Sequence, residues 1–517
     1  MSTKVSVVIV NWNTNEKLEK LLSQVLPTPQ LDIVVVDNAS NNSIDPIKKK
    51  HPNVSFILNT HNRGYAAACN QGVAKAKGEW LMFLNTDVDI TNEILEDCIK
   101  EAEEKKLDAA CPRVDQANYQ KPLPNLLSLL VEFSPLHRII PLSMFEKKTL
   151  FGGALLIRNK VFIDLDGWDE RFFVWFEDSD ITKSLYLHGA RVGTLQTRIG
   201  HEGGISFRSL PEKKKFHMFF HSLSTYLKKH HSAFTQKIIG VLTARFWQGY
   251  LNPQLHEGLS LVIPNMRKNI LDDFLNKNKS VLEKIDECII VSSDLHGDDL
   301  FSMRLQYPNL RFISVIENHG FAHTVNIGFR AATGKYIATC NDDVILNESS
   351  FSFLKNMPAN TGSINPVIKK VDGSIETAGI KILQKGKAET ITQVSDDEFQ
   401  KVDATNGAAV VYTREALEKV GLFDERFGSY LEDIDIALRC AKAGCNNYVH
   451  NASYITHLQH QTSSSMGAKK QWLDFKNWIL VIVKNWPVET LVTHAPQIIL
   501  ERLRNLNGVL KSYYKNR

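Results

Sequence analysis

Short runs of apolar, mostly β-branched residues recur along the chain and alternate with stretches of helical character. Val5-Ser-Val-Val-Ile-Val10, Asp32-Ile-Val-Val-Val36 and Trp80-Leu-Met-Phe-Leu84 read as strands, whereas Glu16 to Val25 and the glycine-punctuated Ala66 to Lys77 read as helices. Strands alternating with helices at this spacing predict an α/β fold with a mostly parallel sheet. In such sheets ligands sit outside the carboxyl ends of the strands, which is where the polar residues of this chain fall.

The pattern occurs twice. Val5-Ser-Val-Val-Ile-Val-Asn11 matches Leu259-Ser-Leu-Val-Ile-Pro-Asn265, and Asn62-Arg63-Gly64 with Asn70 matches Asn318-His-Gly320 with Asn326. Asn85-Thr-Asp87 matches Asn341-Asp-Asp343, Asp169-Glu-Arg-Phe172 matches Asp424-Glu-Arg-Phe427, Glu177-Asp178 matches Glu432-Asp433, and His201 matches His457. Order and spacing agree throughout, so the chain reads as two tandem copies of one domain, 1–255 and 256–517. Each copy closes with a helical extension, about 205–255 and about 465–517. A chain of 517 residues is also too long for one core, since cores stop growing at about 250 to 300 residues.

Composition adds little beyond this. With 43% apolar and 23% charged residues the chain is a folded one, and a net charge of +4 gives no case for nucleic acid as a partner. Seven scattered cysteines without a CxxC spacing predict buried thiols in a reducing compartment. The opening segment does not resemble a signal peptide, and the apolar run Trp478–Val483 is far short of a membrane span. The expected location is therefore cytoplasmic.

The strand ends carry the candidate chemistry. Asp37 directly follows Ile33–Val36 and is placed either to hold a ribose or base edge or to cap the next turn; the second copy has Ser292 there. Asn85-Thr-Asp87 and Asn341-Asp-Asp343 end strands with hard oxygen ligands, suited to Mg²⁺ or Mn²⁺ on a diphosphate. A single copy would equally fit an Asx turn, and recurrence favours the metal. Glu177-Asp178 and Glu432-Asp433 follow aromatic runs and open helices. Beside apolar rings they suit a general base, while an acidic first helical turn is the plain alternative. His201 and His457 end strand-like stretches and are either structural or further metal ligands.

Together these motifs resemble family 2 glycosyltransferases of the GT-A fold, particularly the rhamnosyl- and galactosyltransferase-like members that build bacterial surface polysaccharides such as O-antigen and capsule. The likeness covers both halves. It implies that Asp178 and Asp433, with Glu177 and Glu432, supply the catalytic base. It implies that Asp87, His201, Asp343 and His457 hold a divalent metal. Asn11, Asp37, Asn62, Arg63, Gly64, Asn70, Asn85 and Gly153 are then placed at the nucleotide-sugar donor, a dTDP- or UDP-sugar. Their second-copy counterparts are Asn265, Asn318, Gly320, Asn326, Asn341 and Gly407, with Gly407 read as the partner of Gly153 and Asp294 standing in where Ser292 replaces the nucleotide aspartate. The first metal-motif aspartate is asparagine in both copies.

The implied reaction is metal-dependent inverting transfer of rhamnose or a hexose to a glycan or lipid-linked glycan. Two copies imply either a bifunctional enzyme or one active domain with a carbohydrate-binding or scaffold module. A nucleotidyltransferase would need a glycine-rich basic loop where this chain has Asn11-Trp-Asn-Thr14. The helical tails, with Trp478, Trp486, Tyr513 and Tyr514 among basic residues, suit peripheral contact with the inner face of the membrane, packing on the domains, or a homodimer contact.

Overall fold

The computed structural model describes residues 4–115, 121–203, 210–246, 249–458 and 467–515. The chain forms two compact units, Met1–Pro253 with Leu295–Ser314, and Gln254–Asp294 with Val315–Arg517. Among the described residues no helix is long and apolar enough to cross a membrane. All seven cysteines are unpaired, six of them buried.

The first unit has strands β1 (Val5–Asn11), β2 (Leu31–Asp37), β3 (Ser55–Leu58), β4 (Trp80–Asn85), β5 (Val88–Asp89), β6 (Ala109–Val114), β7 (Ala154–Arg158) and β8 (Val192–His201). Its helices are α1 (Asn15–Gln24), α2 (Asp45–Lys50), α3 (Tyr65–Val73), α4 (Asn92–Glu104), α5 (Leu126–Glu132), α6 (Asn159–Asp164), α7 (Glu177–Leu187), α8 (Glu212–His230) and α9 (Ala233–Thr243). The sheet order is β3-β2-β1-β4-β7-β6-β8-β5. The four strands from β3 to β4 are parallel, and β7 then runs antiparallel to both β4 and β6. This is the GT-A type of α/β architecture.

The apolar runs are continuous because both sheet faces are covered. Val7, Ile9, Ile33 and Met82 pack under α1 and α4, while Val8, Leu81 and Phe83 pack under α3, α6 and α7. Helix α3 ends at Val73, four residues short of the expected Lys77. Ser6 Oγ accepts from the backbone N–H of Lys77 (3.0 Å) and Gly78 (2.7 Å), drawing that segment onto β1 instead.

The second unit has β9 (His256–Asn265), α10 (Lys268–Leu282) and β10 (Glu287–Ser292). The next segment, α11 (Gly297–Gln306) and β11 (Arg311–Ser314), groups with the first unit. Then follow α12 (Phe321–Ala331), β12 (Gly334–Cys340), β13 (Val344–Ile345), β14 (Thr361–Lys369), β15 (Ile375–Thr377), β16 (Ile380–Leu383), β17 (Lys387–Thr390), β18 (Phe399–Val402) and β19 (Ala409–Thr413). The unit ends in α13 (Arg414–Val420), α14 (Glu432–Lys442), β20 (Asn446–His457), α15 (Gly467–Asn485), α16 (Val488–Thr493) and α17 (Ala495–Lys515). From β10 onward its sheet runs β10-β9-β12-β19-β14-β20-β13, the order of the first unit. The units part company between β6 and β7, where the first has α5 and 3₁₀ turns and the second has the strands β15–β18.

The helical extensions pack back onto the domains. Phe220, Leu223, Tyr226 and Leu227 of α8 join Phe172 and Phe176, and Trp478, Val481 and Ile482 of α15 join Phe427 and Ile434. Trp478 is thus a core residue, and Trp486 donates its indole N–H to Gln384 O (2.8 Å); neither is free to rest on a membrane. The side chains of Tyr513 and Tyr514 lie outside the described residues.

Gly64 and Gly320 open α3 and α12 with φ of +85° and +103°. A Cβ on Gly64 would stand 2.6 Å from Phe173 O, and one on Gly320 would stand 2.7 Å from Gly428 O. Gly64→Ala and Gly320→Ala are each expected to cost about 1 to 3 kcal/mol, read as a fall in the urea midpoint; unchanged midpoints would show that these loops relax freely.

Candidate active site

In the first unit the sheet's carboxyl edge opens into a cavity of about 530 Å³. Eight of the expected residues line it: Asn62, Gly64, Asn85, Asp87, Gly153, Glu177, Asp178 and His201. Chain segments more than a hundred residues apart therefore converge on one space.

Helix α7 starts at Glu177, so Glu177, Asp178 and Asp180 occupy its first turn. The start is set by two successive left-handed residues, Trp175 (φ 63°) and Phe176 (φ 66°). Helix α14 repeats this with Tyr430 (φ 73°) and Leu431 (φ 69°). Such backbone costs of order 1 to 3 kcal/mol per residue and persists only where surroundings impose it. The extension helices supply that support. Ser222 Oγ on α8 donates to Val174 O (2.7 Å), and Asn477 Nδ2 on α15 donates to Phe427 O (3.0 Å), Ser429 O (2.9 Å) and Tyr430 O (2.8 Å).

Burial raises the pKa of Glu177 to about 8, with the adjacent Asp178 charge adding to it; burial likewise raises Asp178. In the second unit burial raises Glu432, again reinforced by its neighbour Asp433, and raises Asp433 itself. Glu177 Oε2 and Glu432 Oε2 are both buried without a hydrogen-bond partner. A buried acceptor left unsatisfied is costly, and its recurrence in both units marks a position kept for something other than stability.

His201 Nε2 lies 3.3 Å from Asp87 Oδ1, and β5 is held to β8 by the pairing of Val88 with His201. His457 Nε2 lies 3.2 Å from Asp343 Oδ1 in the same way. Among the described residues no group of three or more His, Cys, Asp or Glu side chains has metal-holding geometry. A carboxylate and an imidazole on one cavity wall fit a divalent cation whose remaining ligands come from a diphosphate. The second unit fits less well. Its His457 Nδ1 also meets Glu376 Oε2 (3.1 Å) on β15, and although burial opposes the charged ring, Asp343 and Glu376 outweigh it and raise its pKa.

Other expected donor residues lie behind the wall. Asn11 Nδ2 donates to Asp37 Oδ1 (2.7 Å), and Ser40 donates through N (3.1 Å) and Oγ (2.7 Å) to the same carboxylate, fixing the turn after β2. Asn62 Oδ1 accepts from Gly64 N (2.9 Å), an Asx turn, and Asn318 does the same for Gly320 N (2.8 Å). The Arg63 guanidinium donates to Pro308 O (2.6 Å) rather than into the cavity.

Three readings need correction. Asn70 and Asn326 do not face a donor: Asn70 brackets Trp168 and Glu170, and Asn326 brackets Phe423 and Glu425, each amide holding the loop that leads to the aromatic run. Their recurrence reflects packing. Asp294 does not replace Asp37. It is exposed and caps α10 through Lys268 N (2.8 Å), while Ser292 Oγ donates to Asn265 Oδ1 (2.9 Å) and Asn265 Nδ2 turns to Asp342 Oδ2 (2.7 Å). Finally, Gly407 corresponds to Gly152 and not to Gly153. Ala154 pairs with Leu84 and Ala409 with Cys340, so Asn85 N donates to Gly153 O and Asn341 N to Ala408 O. Gly407 N then donates to Asp433 Oδ2 (2.9 Å), and a Cβ on Gly152 would stand 3.0 Å from that of Asp178.

Sequence reasoning missed the residues that hold α7 and α14. Lys229 Nζ on α8 bonds Asp169 Oδ2 (2.7 Å) and Asp180 Oδ2 (2.9 Å), and His230 Nε2 lies 2.7 Å from Asp180 Oδ1. Lys484 Nζ on α15 bonds Asp424 Oδ2 (2.7 Å) and Asp435 Oδ2 (2.9 Å), with Asn485 Nδ2 on Asp435 Oδ1 (2.9 Å). Asp180 and Asp435 recur because they anchor the Glu-Asp turn to the extension. The signal was present, since Lys229 and Lys484 keep the spacing of the repeat. Asn38, Lys121, Glu132 and Phe219 also line the cavity, but none of the four keeps its residue type in the other copy.

The description "Glycosyl transferase family 2" matches residues 6–165 and 260–375, together more than half of the chain. The chain belongs to glycosyl transferase family 2. An uncharacterized protein of Mycobacterium tuberculosis is 29% identical over 173 residues, 31% of this chain and 64% of its own length, so the chain spans just under two thirds of such relatives. The N-acetylglucosaminyl-diphospho-decaprenol L-rhamnosyltransferase of M. tuberculosis is 25% identical over 189 residues, 30% of this chain and 62% of that protein. The poly(ribitol-phosphate) beta-glucosyltransferase of Bacillus spizizenii is 35% identical over 101 residues, 18% of this chain and 16% of that protein. Among solved structures, S. aureus TarS 1–349 aligns at 18% identity over 47% of this chain and 71% of its own, with a TM-score of 0.31.

Lys229→Met takes one partner from Asp169, which keeps Arg171, and one from Asp180, which keeps His230; Lys484→Met takes one from Asp424, which keeps Arg426, and one from Asp435, which keeps Arg439 and Asn485. Each is therefore expected to cost about 1 to 3 kcal/mol in chemical denaturation. Burial would raise Asp169, but Arg171 and Lys229 outweigh it and hold it well below the usual range; Arg426, then Lys484, do the same for Asp424. Folded pKa values depressed below the unfolded ones give stability that is present above about pH 4 and is lost as pH falls. The wild type should therefore unfold in acid with proton uptake at these sites, and each methionine variant should lose part of that pH dependence.

Proposed function

We propose that the chain is a bifunctional inverting glycosyltransferase, each unit moving a sugar from a nucleoside-diphosphate sugar to a growing bacterial surface glycan of O-antigen or capsule type. The observation that carries this reading is the recurrence, in both units, of a strained turn presenting a Glu-Asp pair with raised pKa values and an unpartnered glutamate oxygen. Membership in the family and the rhamnosyl and glucosyl relatives support sugar transfer as the chemistry.

In the first unit Asp178 takes the proton of an acceptor hydroxyl as its oxygen attacks the anomeric carbon. The bond from that carbon to the diphosphate oxygen breaks on the opposite side, its electron pair leaves with the nucleoside diphosphate, and the configuration inverts. Glu177, pushed up to about 8 chiefly by burial, stays protonated and neutral beside Asp178. Asn38 lines the cavity where the nucleoside would enter, on a turn that Asp37 fixes from behind, and Asn62, Gly64, Asn85 and Gly153 shape the space around the diphosphate and sugar. Asp87 and His201 would hold Mg²⁺ or Mn²⁺, which when bound neutralises charge on the departing diphosphate. Asp433, Glu432, Asp343 and His457 take these roles in the second unit. The rhamnosyl relative's name includes a decaprenol diphosphate, which supports a lipid-linked glycan as the acceptor and a place of action at the cytoplasmic side of a membrane.

A second reading has one active unit and a carbohydrate-binding second one. It is favoured by Ser292 in place of Asp37, the diversion of Asn265 to Asp342, and the Glu376 carboxylate on His457.

Product analysis of the full chain with a panel of dTDP- and UDP-sugars, with Mn²⁺ and with chelator, tests both. Asp178→Asn and Asp433→Asn should each remove one linkage, by about 10² to 10⁴ in rate, with the fold intact. Full product from the single and double variants defeats the proposal, and loss with Asp178→Asn alone selects the one-site reading. A base must be ionised and burial raises Asp178, so transfer by the first unit should climb with pH along a limb that lies above the ordinary carboxylate range.

A further inference from the structure

We propose that α15–α17 form a docking surface for an anionic phospholipid membrane, a property that goes beyond sugar transfer and does not depend on it. The inward face of α15 is accounted for, since Trp478, Val481 and Ile482 fill the core of the second unit. Its outward face is apolar as well. Trp472, Ile479 and Val483, seven and four residues apart, are 49%, 41% and 70% exposed, and Val488 on α16 and Ile499 and Leu503 on α17 are 76%, 58% and 57% exposed. Large apolar side chains exposed on three consecutive helices mark an interaction surface. Spanning is excluded for these helices, because none is long and apolar enough. Lying in the interface is the remaining way for an amphipathic helix to use lipid.

Charge selects the partner. Residues 467–515 hold eight lysines and arginines against three aspartates and glutamates, an excess of five, larger than the +4 of the whole chain. Lys484 is half-buried in its ion pairs and Arg502 is buried, but Lys469, Lys470, Arg504 and Lys511 are exposed on the same helices. Basic residues flanking an apolar helical face are attracted by anionic headgroups. A second copy fits worse, because a twofold contact would bring this positive surface against itself.

The test is sedimentation of the full chain with vesicles of phosphatidylglycerol and phosphatidylcholine, against pure phosphatidylcholine, with no donor sugar present. Binding to the anionic vesicles should be at least about tenfold tighter and should weaken as salt rises. Ile479→Asp with Val483→Asp and Leu503→Asp, all at exposed positions, should abolish it while circular dichroism and the urea midpoint stay unchanged. Lys469→Glu with Lys470→Glu should weaken only the anionic component. Equal binding to both vesicles, no binding to either, or a triple variant that binds as the wild type overturns the proposal. So does a wild-type dimer that the triple variant dissociates while vesicle binding persists. Because the assay contains no sugar, its failure leaves the catalytic reading standing, and inactive Asp178→Asn and Asp433→Asn should sediment as the wild type.

Discussion

Crowding three carboxylates into the first turn of α7 is the constraint around which each unit is built. Water would ionise all of them, and the aromatic surroundings oppose that for Glu177 and Asp178, whose protons are held more tightly in consequence. The third, Asp180, is paired with Lys229, and that contact is what ties the turn down. The helix macrodipole favours negative charge at this end, but by about a kilocalorie per mole at most sites, too little to hold two successive residues in the left-handed region. The anchoring falls to α8, through Ser222 on the strained backbone and Lys229 on the acids. The extension is thus a structural member of the site, and α15 plays the same part in the second unit with Asn477 and Lys484.

The duplication separates what the fold needs from what chemistry needs. Where both copies keep a residue type and its partners, as with Asn70 and Asn326 or Lys229 and Lys484, the contacts explain the retention through packing and charge. Where both keep a group that makes no internal contact, as with Glu177 Oε2 and Glu432 Oε2, packing explains nothing. The differences are informative too. Asn11 supports Asp37 in one unit, whereas Asn265 supports Asp342 in the other, so the same strand end holds up two different loops.

Much of this was legible in the sequence, for reasons that differ by element. The strands were evident because apolar runs covered on both faces leave few other assignments, and the Glu-Asp turn was evident because acids beside aromatic rings are rare without a use. Recurrence alone misled at Asn70, where a buried amide bracketing a loop repeats as faithfully as a binding group would. The alignment of Gly407 with Gly153 slipped by one because a glycine pair and an Asn-Gly pair look alike as letters, and only the hydrogen bond from Asn341 N to Ala408 O fixes the register. Left-handed Trp175 and Phe176 leave no mark in composition. Lys229 sits among basic residues at the end of α8, and its place between two aspartates depends on how α8 folds back.

The contrast between α5 in one unit and β15–β18 in the other has a consequence for how such a chain diversifies. The half of each sheet that presents the turn of acids and the Asp-His pair recurs in both units, while the connection after β6 in one and β14 in the other is built differently. The walls around the turn can therefore change in one unit with the turn itself left alone, and the two units are free to diverge in what they admit.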